Sequence, residues 1–370
     1  MNGQRVSTAD AYTAHREWAT RPPDERYASV EQLFDAACAR RSRTEERITE
    51  TVNLRVRAEG TDGLVLDERV GDGDTSDLTH WSFEQLAGIA GAPPNYLRTL
   101  PASIAADAIN VGLQRCARVE QQLFADATDP WTLHAITSPR YARVHHDELA
   151  GRVLRLMDAH PSWHLPLGYK DGVMGAERVP SGAYLGDRDM FLFLVDDNRD
   201  LDDPTDASHA GLFRGFMLRN SDVGAAALTL DVFLFRSVCG NHIIWGFRHI
   251  VGLRRRHVGA SIHEAWTTSL DAVSTMLDAT LADDRAILLR ATSQELGPTS
   301  EQVIETVVQR LDLSRKHAAD AYGLAEQHEP NPRSVWGYVQ GLTRLSQRTP
   351  WQDARFTLDR AASRLLTTVH

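Results

Sequence analysis

Phosphate-binding side chains are most concentrated between Arg214 and His263. This stretch holds seven arginines and four histidines but only two acidic residues, Asp222 and Asp231. Guanidinium groups bind phosphates through paired hydrogen bonds, so arginines gathered on one surface are the electrostatic footprint of nucleic-acid binding. The predicted contact residues are Arg140, Arg214, Arg219, Arg236, Arg248, Arg254, Arg255, Arg256, His257 and Trp245.

Aromatic and basic members of this set carry different expectations. The indole ring of Trp245 is predicted to stack on a base. We expect Arg236 and the basic run 254–256 to lie on or beside one basic surface. The alternative is that the run forms a solvated turn and that the nearby aromatic side chains belong to the core. Arg140 precedes Tyr141, a pair interpreted as a binding contact or as a core tyrosine beside a surface arginine.

Short polar residues follow two apolar strands that the sequence predicts at 215–218 and 226–235. Asn220, Ser221 and Asp222 come after the first strand, and Asn241 comes after the second. Side chains of these types hydrogen-bond to local backbone and tolerate left-handed conformations. Two roles follow from this chemistry, namely turn formation and direct contact with a ligand.

Sulfur, imidazole and carboxylate groups suggest two hypotheses about metal binding. Cys239 and His242 have the Cys-x2-His spacing of a zinc half-site, but the later histidines fit no standard spacing. Eight aspartates lie between Asp187 and Asp206, and carboxylate oxygens bind Mg²⁺ or Ca²⁺. Acidic loops are usually solvated, so no metal site is predicted. The aspartates support only an alternative function, that of a metal-dependent nuclease or another enzyme.

Catalytic motifs with a known mechanism do not occur in the sequence. It contains neither a phosphate-cradling P-loop nor the glycine-rich dinucleotide fingerprint, and it has no serine nucleophile elbow. His146 beside Asp147 is compatible with acid–base chemistry, although a histidine at a helix start is commonly structural. No catalytic residue and no cofactor is therefore predicted, and a non-enzymatic protein is favoured over an enzyme.

The composition indicates the cellular compartment of the protein. It also shows whether the overall charge can attract nucleic acid. The formal net charge is −10 at pH 7, so non-specific attraction to nucleic acid cannot come from the chain as a whole. Three widely separated cysteines indicate no disulfide framework. No signal peptide and no apolar run of about 18 residues is visible. We therefore expect a cytoplasmic protein without a membrane partner.

Hydrophobic periodicity predicts an α+β fold with a central, mainly antiparallel sheet flanked by helices and a helical C-terminal third. Ser82 and Gln85 have the spacing of a capping box that opens a helix. A long helix is predicted at 262–281, and the acidic segment 196–208 is predicted as a loop. The predicted divisions are a mobile N-terminal arm (1–26), an α/β subdomain (27–130), a central sheet core with the basic segment (131–281) and a helical region (282–370).

Several short motifs occur in one order between about residues 80 and 280. They are QLA at 85–87, PNYL at 94–97, SPRYARV at 138–144, RNSD at 219–222, RSVCGN at 236–241 and RRHVG at 255–259. This order resembles a phage- and plasmid-type family known as domain of unknown function 932. The resemblance implies a protein of a phage, plasmid or integrated element and implies no particular reaction.

These observations predict a non-enzymatic nucleic-acid-binding protein of phage or plasmid type. Single-strand binding or annealing, as an accessory to replication or recombination, is the favoured role. Single-stranded DNA is the expected partner, and a homo-oligomer with a continuous arginine-lined groove is compatible with this role. Besides the metal-dependent enzyme, a protein-interaction factor that interferes with host defence is an open alternative.

Overall fold

Two sheets and a C-terminal helical layer make up the part of the chain that the computed structural model describes. That part comprises residues 18, 21–60, 62–68, 75–128, 131–169, 177–201, 212–236, 241–244, 253–259, 262, 273 and 281–366. Antiparallel strands dominate the sheets, helices flank them, and helices fill the C-terminal third. The predicted α+β class is confirmed.

The elements are numbered in chain order. The strands are β1 (Glu25–Tyr27), β2 (Thr44–Glu50), β3 (Leu54–Glu59), β4 (Gly63–Glu68), β5 (Thr75–Leu78), β6 (Glu120–Asp126), β7 (Trp131–Thr137), β8 (Trp163–His164), β9 (Leu167–Tyr169), β10 (Arg178–Pro180), β11 (Ala183–Leu185), β12 (Met190–Leu201), β13 (Leu212–Asn220), β14 (Leu228–Arg236), β15 (Asn241–Ile244) and β16 (Leu253–Arg255). The helices are α1 (Val30–Arg43), α2 (His80–Ile89), α3 (Pro94–Leu97), α4 (Ala102–Leu113), α5 (His146–Ala159), α6 (Leu281–Ser293), α7 (Ser300–Leu311), α8 (Arg315–His328), α9 (Val335–Gln347) and α10 (Gln352–Leu366).

The larger sheet has the strand order β1-β11-β12-β13-β14-β15, with β8 paired to β12 and β16 paired to β14. All of its pairings are antiparallel. The smaller sheet has the order β2-β6-β7-β5-β4-β3, in which only β5 and β7 run parallel. Strands β9 and β10 form a separate antiparallel pair.

The larger sheet lies between two layers of helices, because apolar side chains cover both of its faces. Because successive residues of a strand point to opposite faces, Leu192 and Phe216 pack with α1 and α5, whereas Phe191 and Met217 pack with Phe356 of α10. The smaller sheet buries one face against α2, α3 and α4. A separate helical core is built from α6 to α10. No helix in the described ranges is long and apolar enough to span a membrane.

Helix α2 begins before the predicted capping box. The N-cap of α2 is Thr79, whose Oγ1 accepts the backbone N–H of Ser82 at 3.1 Å. The predicted capping box is therefore wrong, since Ser82 lies inside the helix and is fully buried. Gln85 does not reach back to a cap, because its side chain bonds instead to Ile136 and Val223.

The acidic segment departs from the prediction as well. Residues 196–201, which were expected in a loop, extend β12, and β12 pairs with β13 across a register shift. Strand β2 was not predicted, because its sequence TEERITE has one apolar side chain, Ile48, and gives no alternating pattern. The rest of the predicted acidic loop, 202–208, and nearly all of the predicted helix 262–281 lie outside the described residues.

The N-terminal segment, predicted as a mobile arm, is docked wherever the structure describes it. Trp18 is buried, and its ring lies 4.8 Å from that of Phe83. Arg21 donates to both carboxylate oxygens of Asp353 at 2.8 and 2.9 Å. Strand β1 then pairs with β11. This segment therefore contacts three parts of the protein in succession. They are the smaller sheet with its helices α2 to α4, which we name the smaller sheet unit, then α10, and then the larger sheet.

Replacing Trp18 with alanine tests this docking. The side chain is 2% exposed and its Nε1 donates to the carbonyl of Asp62 at 2.9 Å. We expect Trp18→Ala to lower the free energy of unfolding by about 3–5 kcal/mol, as for other buried aromatic truncations. Urea unfolding measures the change, and Tyr96→Ala, at a residue that is 62% exposed, is the control. Equal stabilities of the two variants would contradict the docked position.

Candidate nucleic-acid interface

A short turn at 221–223, which we name the linking turn, joins the larger sheet to the smaller sheet unit. Its three successive carbonyls each accept a side-chain donor. Tyr141 donates to Ser221 at 2.6 Å, Arg143 donates to Asp222, and Val223 accepts from Trp81 at 3.0 Å and from Gln85 at 2.8 Å. Buried carbonyls need such partners, so these donors fix the position of the turn.

Side chains at and before the linking turn face inward. Asn220 is fully buried and its Nδ2 donates to the carbonyl of Val144 at 2.8 Å. The hydroxyl of Ser221 donates to the carbonyl of Arg188 at 2.5 Å and accepts the N–H of Ala225 at 2.8 Å. Of the two roles left open by the sequence, these contacts favour turn formation for Asn220 and Ser221.

Asp222 lies in a buried network of opposite charges. Its Oδ1 is 3.0 Å from His146 Nε2 and 3.5 Å from an Arg40 nitrogen. Burial alone would raise the pKa of this carboxyl, but Arg40, His146 and Arg143 together hold the pKa well below its ordinary value. The carboxylate is thus ionised inside the protein, beside the basic side chains that balance its charge.

Glu46 carries the second carboxylate of the same network, at its solvent-exposed edge. Its two oxygens lie 3.3 Å from His145 Nε2 and 3.3 Å from Arg143 Nε. The hydrogen bond with His145 is the main reason that the pKa of Glu46 falls to about 2, with burial opposing and Arg143 assisting. Arg143 therefore contacts both acidic residues, because it is paired with the Glu46 carboxylate and also donates to the main-chain carbonyl of Asp222.

An open groove lies directly after the linking turn. The chain passes through Gly224 and three alanines, and Gly224 has a φ of 84°, a conformation that favours glycine. The opposite side is formed by the end of β16 and the residues that follow it. The groove has a volume of about 530 Å³ and is lined by Tyr141, Gly224, Ala225, Ala226, Ala227, Arg254, Arg256, His257 and Val258. We name it the arginine groove.

Backbone pairing holds one wall of the arginine groove in place. Tyr141 and Val258 form an isolated antiparallel bridge. Ala142 N donates to the His257 carbonyl at 3.0 Å, and His257 Nδ1 lies 3.2 Å from the Ala142 carbonyl. The rings of Tyr141 and His257 are stacked, with centroids 5.0 Å apart. The wall is therefore anchored to the same tyrosine that holds the linking turn.

The predicted basic residues fall into separate places. Arg254 and Arg256 line the groove, and both are exposed, as is Arg255 between them. Arg140 is exposed and precedes the residue that pairs with Val258. His257 is buried at 3% exposure. Arg140 is therefore next in the chain to the bridge that holds the basic run, and Tyr141 is half-buried in the lining of the groove.

Other members of the predicted set lie away from the groove. Arg214 is 1% exposed, and Arg219 is bound to Asp189 at 2.5 Å and covers the ring of Phe191. The main chain of Arg236 lies at the far end of β14, about 20 Å from the residues that pair with β16. The side chains of Arg236 and Asn241 and all of Trp245 and Arg248 lie outside the described residues.

Metal ligands do not converge within the described residues. No group of three histidine, cysteine, aspartate or glutamate side chains there is arranged to hold an ion. Asp189 is bound by Arg219, and Asp187 lies 3.7 Å from Arg21. Burial raises the pKa of Asp187 to about 6. Cys239 and the loop aspartates after 201 lie outside the described part.

Comparisons with protein-family models, with curated proteins and with solved structures give no match to this chain. The resemblance to the phage- and plasmid-type family therefore stays a prediction. The floor of the arginine groove and Val258 were missed from sequence. The run GAAA at 224–227 was the available signal, since residues with minimal side chains after a turn leave the main chain open.

Replacing Asn220 with alanine separates the structural role from ligand contact. The variant leaves the buried Val144 carbonyl without its donor, so we expect a loss of about 1–3 kcal/mol in the free energy of unfolding. Thermal or urea unfolding measures the loss, and Asn95→Ala, at an exposed asparagine, is the control. An Asn220→Ala protein with parental stability would point to a ligand-binding role instead.

The buried histidine of the groove wall predicts a pH dependence. Burial lowers the pKa of His257 from 6.5 to about 4, with the hydrogen bond to Ala142 opposing. The unfolded chain therefore takes up this proton first, and stability present above pH 6.5 is lost as the pH falls towards 4.

We expect His257→Gln to reduce the slope of unfolding free energy against pH in that window by about 1.4 kcal/mol per pH unit. Part of the slope should remain in this variant, because burial also lowers the pKa values of His80 and His134 to about 3. Urea unfolding at a series of pH values measures it. An unchanged slope would show that His257 is protonated equally in both states.

Proposed function

We propose that this protein is a non-enzymatic nucleic-acid-binding protein that holds the phosphate backbone of an unpaired strand in the arginine groove. The observation that carries the proposal is the groove itself, of about 530 Å³, with Arg254 and Arg256 in its lining and no carboxylate among the described lining residues. Phosphate contacts by arginine supply most sequence-independent affinity for nucleic acid.

The distribution of charge supports this location in a chain that is acidic as a whole. Several arginines are paired with acids, as Arg40 is with Asp222, Arg143 with Glu46 and Arg219 with Asp189. By contrast, Arg140, Arg255 and Arg256 are exposed and form no side-chain ion pair with a described residue. A local positive surface steers a polyanion even when the net charge is negative.

The spacing of the arginines supports an extended, unpaired strand. Arg254 and Arg256 are two residues apart and lie on one side of the chain, a separation of about 6.6 Å along extended backbone. That interval suits successive phosphates of an extended single strand. The groove volume is in the range of small-ligand sites, about 300–1,000 Å³, and is too small for a duplex.

The biological role rests on the resemblance of the motifs. A protein of a phage, plasmid or integrated element that holds single-stranded DNA would serve replication or recombination, as a binding or annealing accessory, in the cytoplasm and as a homo-oligomer. No feature of the described residues specifically favours the metal-dependent enzyme or the defence-interfering factor, and two acids of the aspartate-rich segment, Asp187 and Asp189, lie beside Arg21 and Arg219.

Salt dependence of binding tests the proposal. We expect a single-stranded oligonucleotide to bind with an affinity that falls steeply with salt, by a slope of about −0.7 for each phosphate neutralised. The double variant Arg254→Ala with Arg256→Ala should weaken binding and make the slope shallower by about 1.4. Fluorescence anisotropy at several salt concentrations measures both quantities.

Arg255→Ala is the control, because it removes one positive charge from the residue between Arg254 and Arg256, which does not line the groove. Its slope should stay close to that of the parent. A salt-independent affinity would show that the ligand is not a polyanion. A change in the control at least half as large as that in the double variant, which removes two charges, would remove the groove as the binding site.

A further inference from the structure

We propose that the arginine groove also holds a nucleobase, and that Val258 is the residue against which the base packs. This inference rests on the proposed function and adds the chemical class of its ligand. The groove would then distinguish a strand with accessible bases from a bare polyphosphate or any other polyanion. Val258 is therefore assigned as a determinant of ligand specificity.

The lining of the groove carries the first argument. Of the nine described residues that line it, five are glycine or aliphatic, namely Gly224, Ala225, Ala226, Ala227 and Val258. A site for phosphate alone would present hydrogen-bond donors on all sides. A groove that pairs two guanidinium groups with an apolar strip fits a ligand that is anionic at one edge and flat and apolar at the other, which describes a nucleotide unit.

The exposure of Val258 carries the second argument. This side chain is 61% exposed although it lies in a backbone bridge with Tyr141 and directly follows a buried residue. Its main chain is held by that bridge, so the side chain is presented on a fixed support. Covering an exposed aliphatic side chain with a base removes apolar surface from water, which favours binding.

The size of the groove carries the third argument. Its volume of about 530 Å³ exceeds what two phosphates occupy and lies well within the range of sites that enclose whole small ligands. The floor residues have no side chain beyond a methyl group, so a planar ring can approach the main chain closely. Bases of a duplex are stacked and paired and cannot enter, whereas a base of a single strand can.

The test compares two oligonucleotides of about 15 nucleotides with identical phosphates, one of thymidines and one in which the bases are replaced by abasic residues. We expect wild-type protein to bind the thymidine strand about fivefold more tightly. Val258→Ser should weaken binding of the thymidine strand by a similar factor, leave its salt slope unchanged and leave binding of the abasic strand unaltered.

Val52→Ser is the control, because Val52 is 70% exposed and lies outside the groove; it should change none of these affinities. Thermal melting verifies that both variants are folded. Equal, salt-dependent binding of the two strands by wild-type protein would overturn the base contact alone, as would an equal loss for both strands in Val258→Ser. If neither strand shows salt-dependent binding, the proposed function fails and the base contact with it.

Discussion

The linking turn is the constraint on which the rest of the structure depends. Its three consecutive carbonyls are buried and accept donors from Tyr141, Arg143, Trp81 and Gln85, all of which belong to the chain before α5. A buried carbonyl without a partner is costly, so the turn has one favourable position relative to the smaller sheet unit. The groove floor begins at Gly224, directly after the turn. The hydrogen bonds that hold the turn therefore also determine the position of the floor.

Charge is used in two separate ways around this turn. Inside, Asp222 is paired with Arg40 of α1 and with His146 at the start of α5, and at the exposed edge of the same network Glu46 is paired with Arg143 and His145. Such buried pairs contribute little net stability, but removing one partner leaves an expensive unpaired charge, so they fix which elements meet. Outside, the basic residues of the groove are held by backbone pairing and keep their guanidinium groups in solvent. An acidic protein can therefore present a locally basic surface.

Contacts far from the groove hold the two sheets and the helical layer in their relative positions. The N-terminal segment spans all three, with Trp18 in the smaller sheet unit and Arg21 on Asp353 of α10. Arg219 of β13 lies over the rings of Phe191 and Phe356, 5.0 and 5.2 Å from their centroids, so an arginine predicted to bind phosphate instead packs the larger sheet against α10. The opposite face of the same strand is buried through Phe216 and Leu218.

The sequence by itself determined the fold class, the C-terminal helices and the core strands, because periodic apolar residues specify which face of an element is buried. The predicted helical C-terminal third is occupied by α6 to α10. It also located the basic run of the groove, since those arginines are consecutive. Only the tertiary structure decided which arginines stay exposed. Arg214 and Arg256 look alike in sequence, yet one is buried in a central strand and the other lies at a sheet edge. That difference depends on strand order and on contacts between residues distant in the chain, which no local pattern encodes.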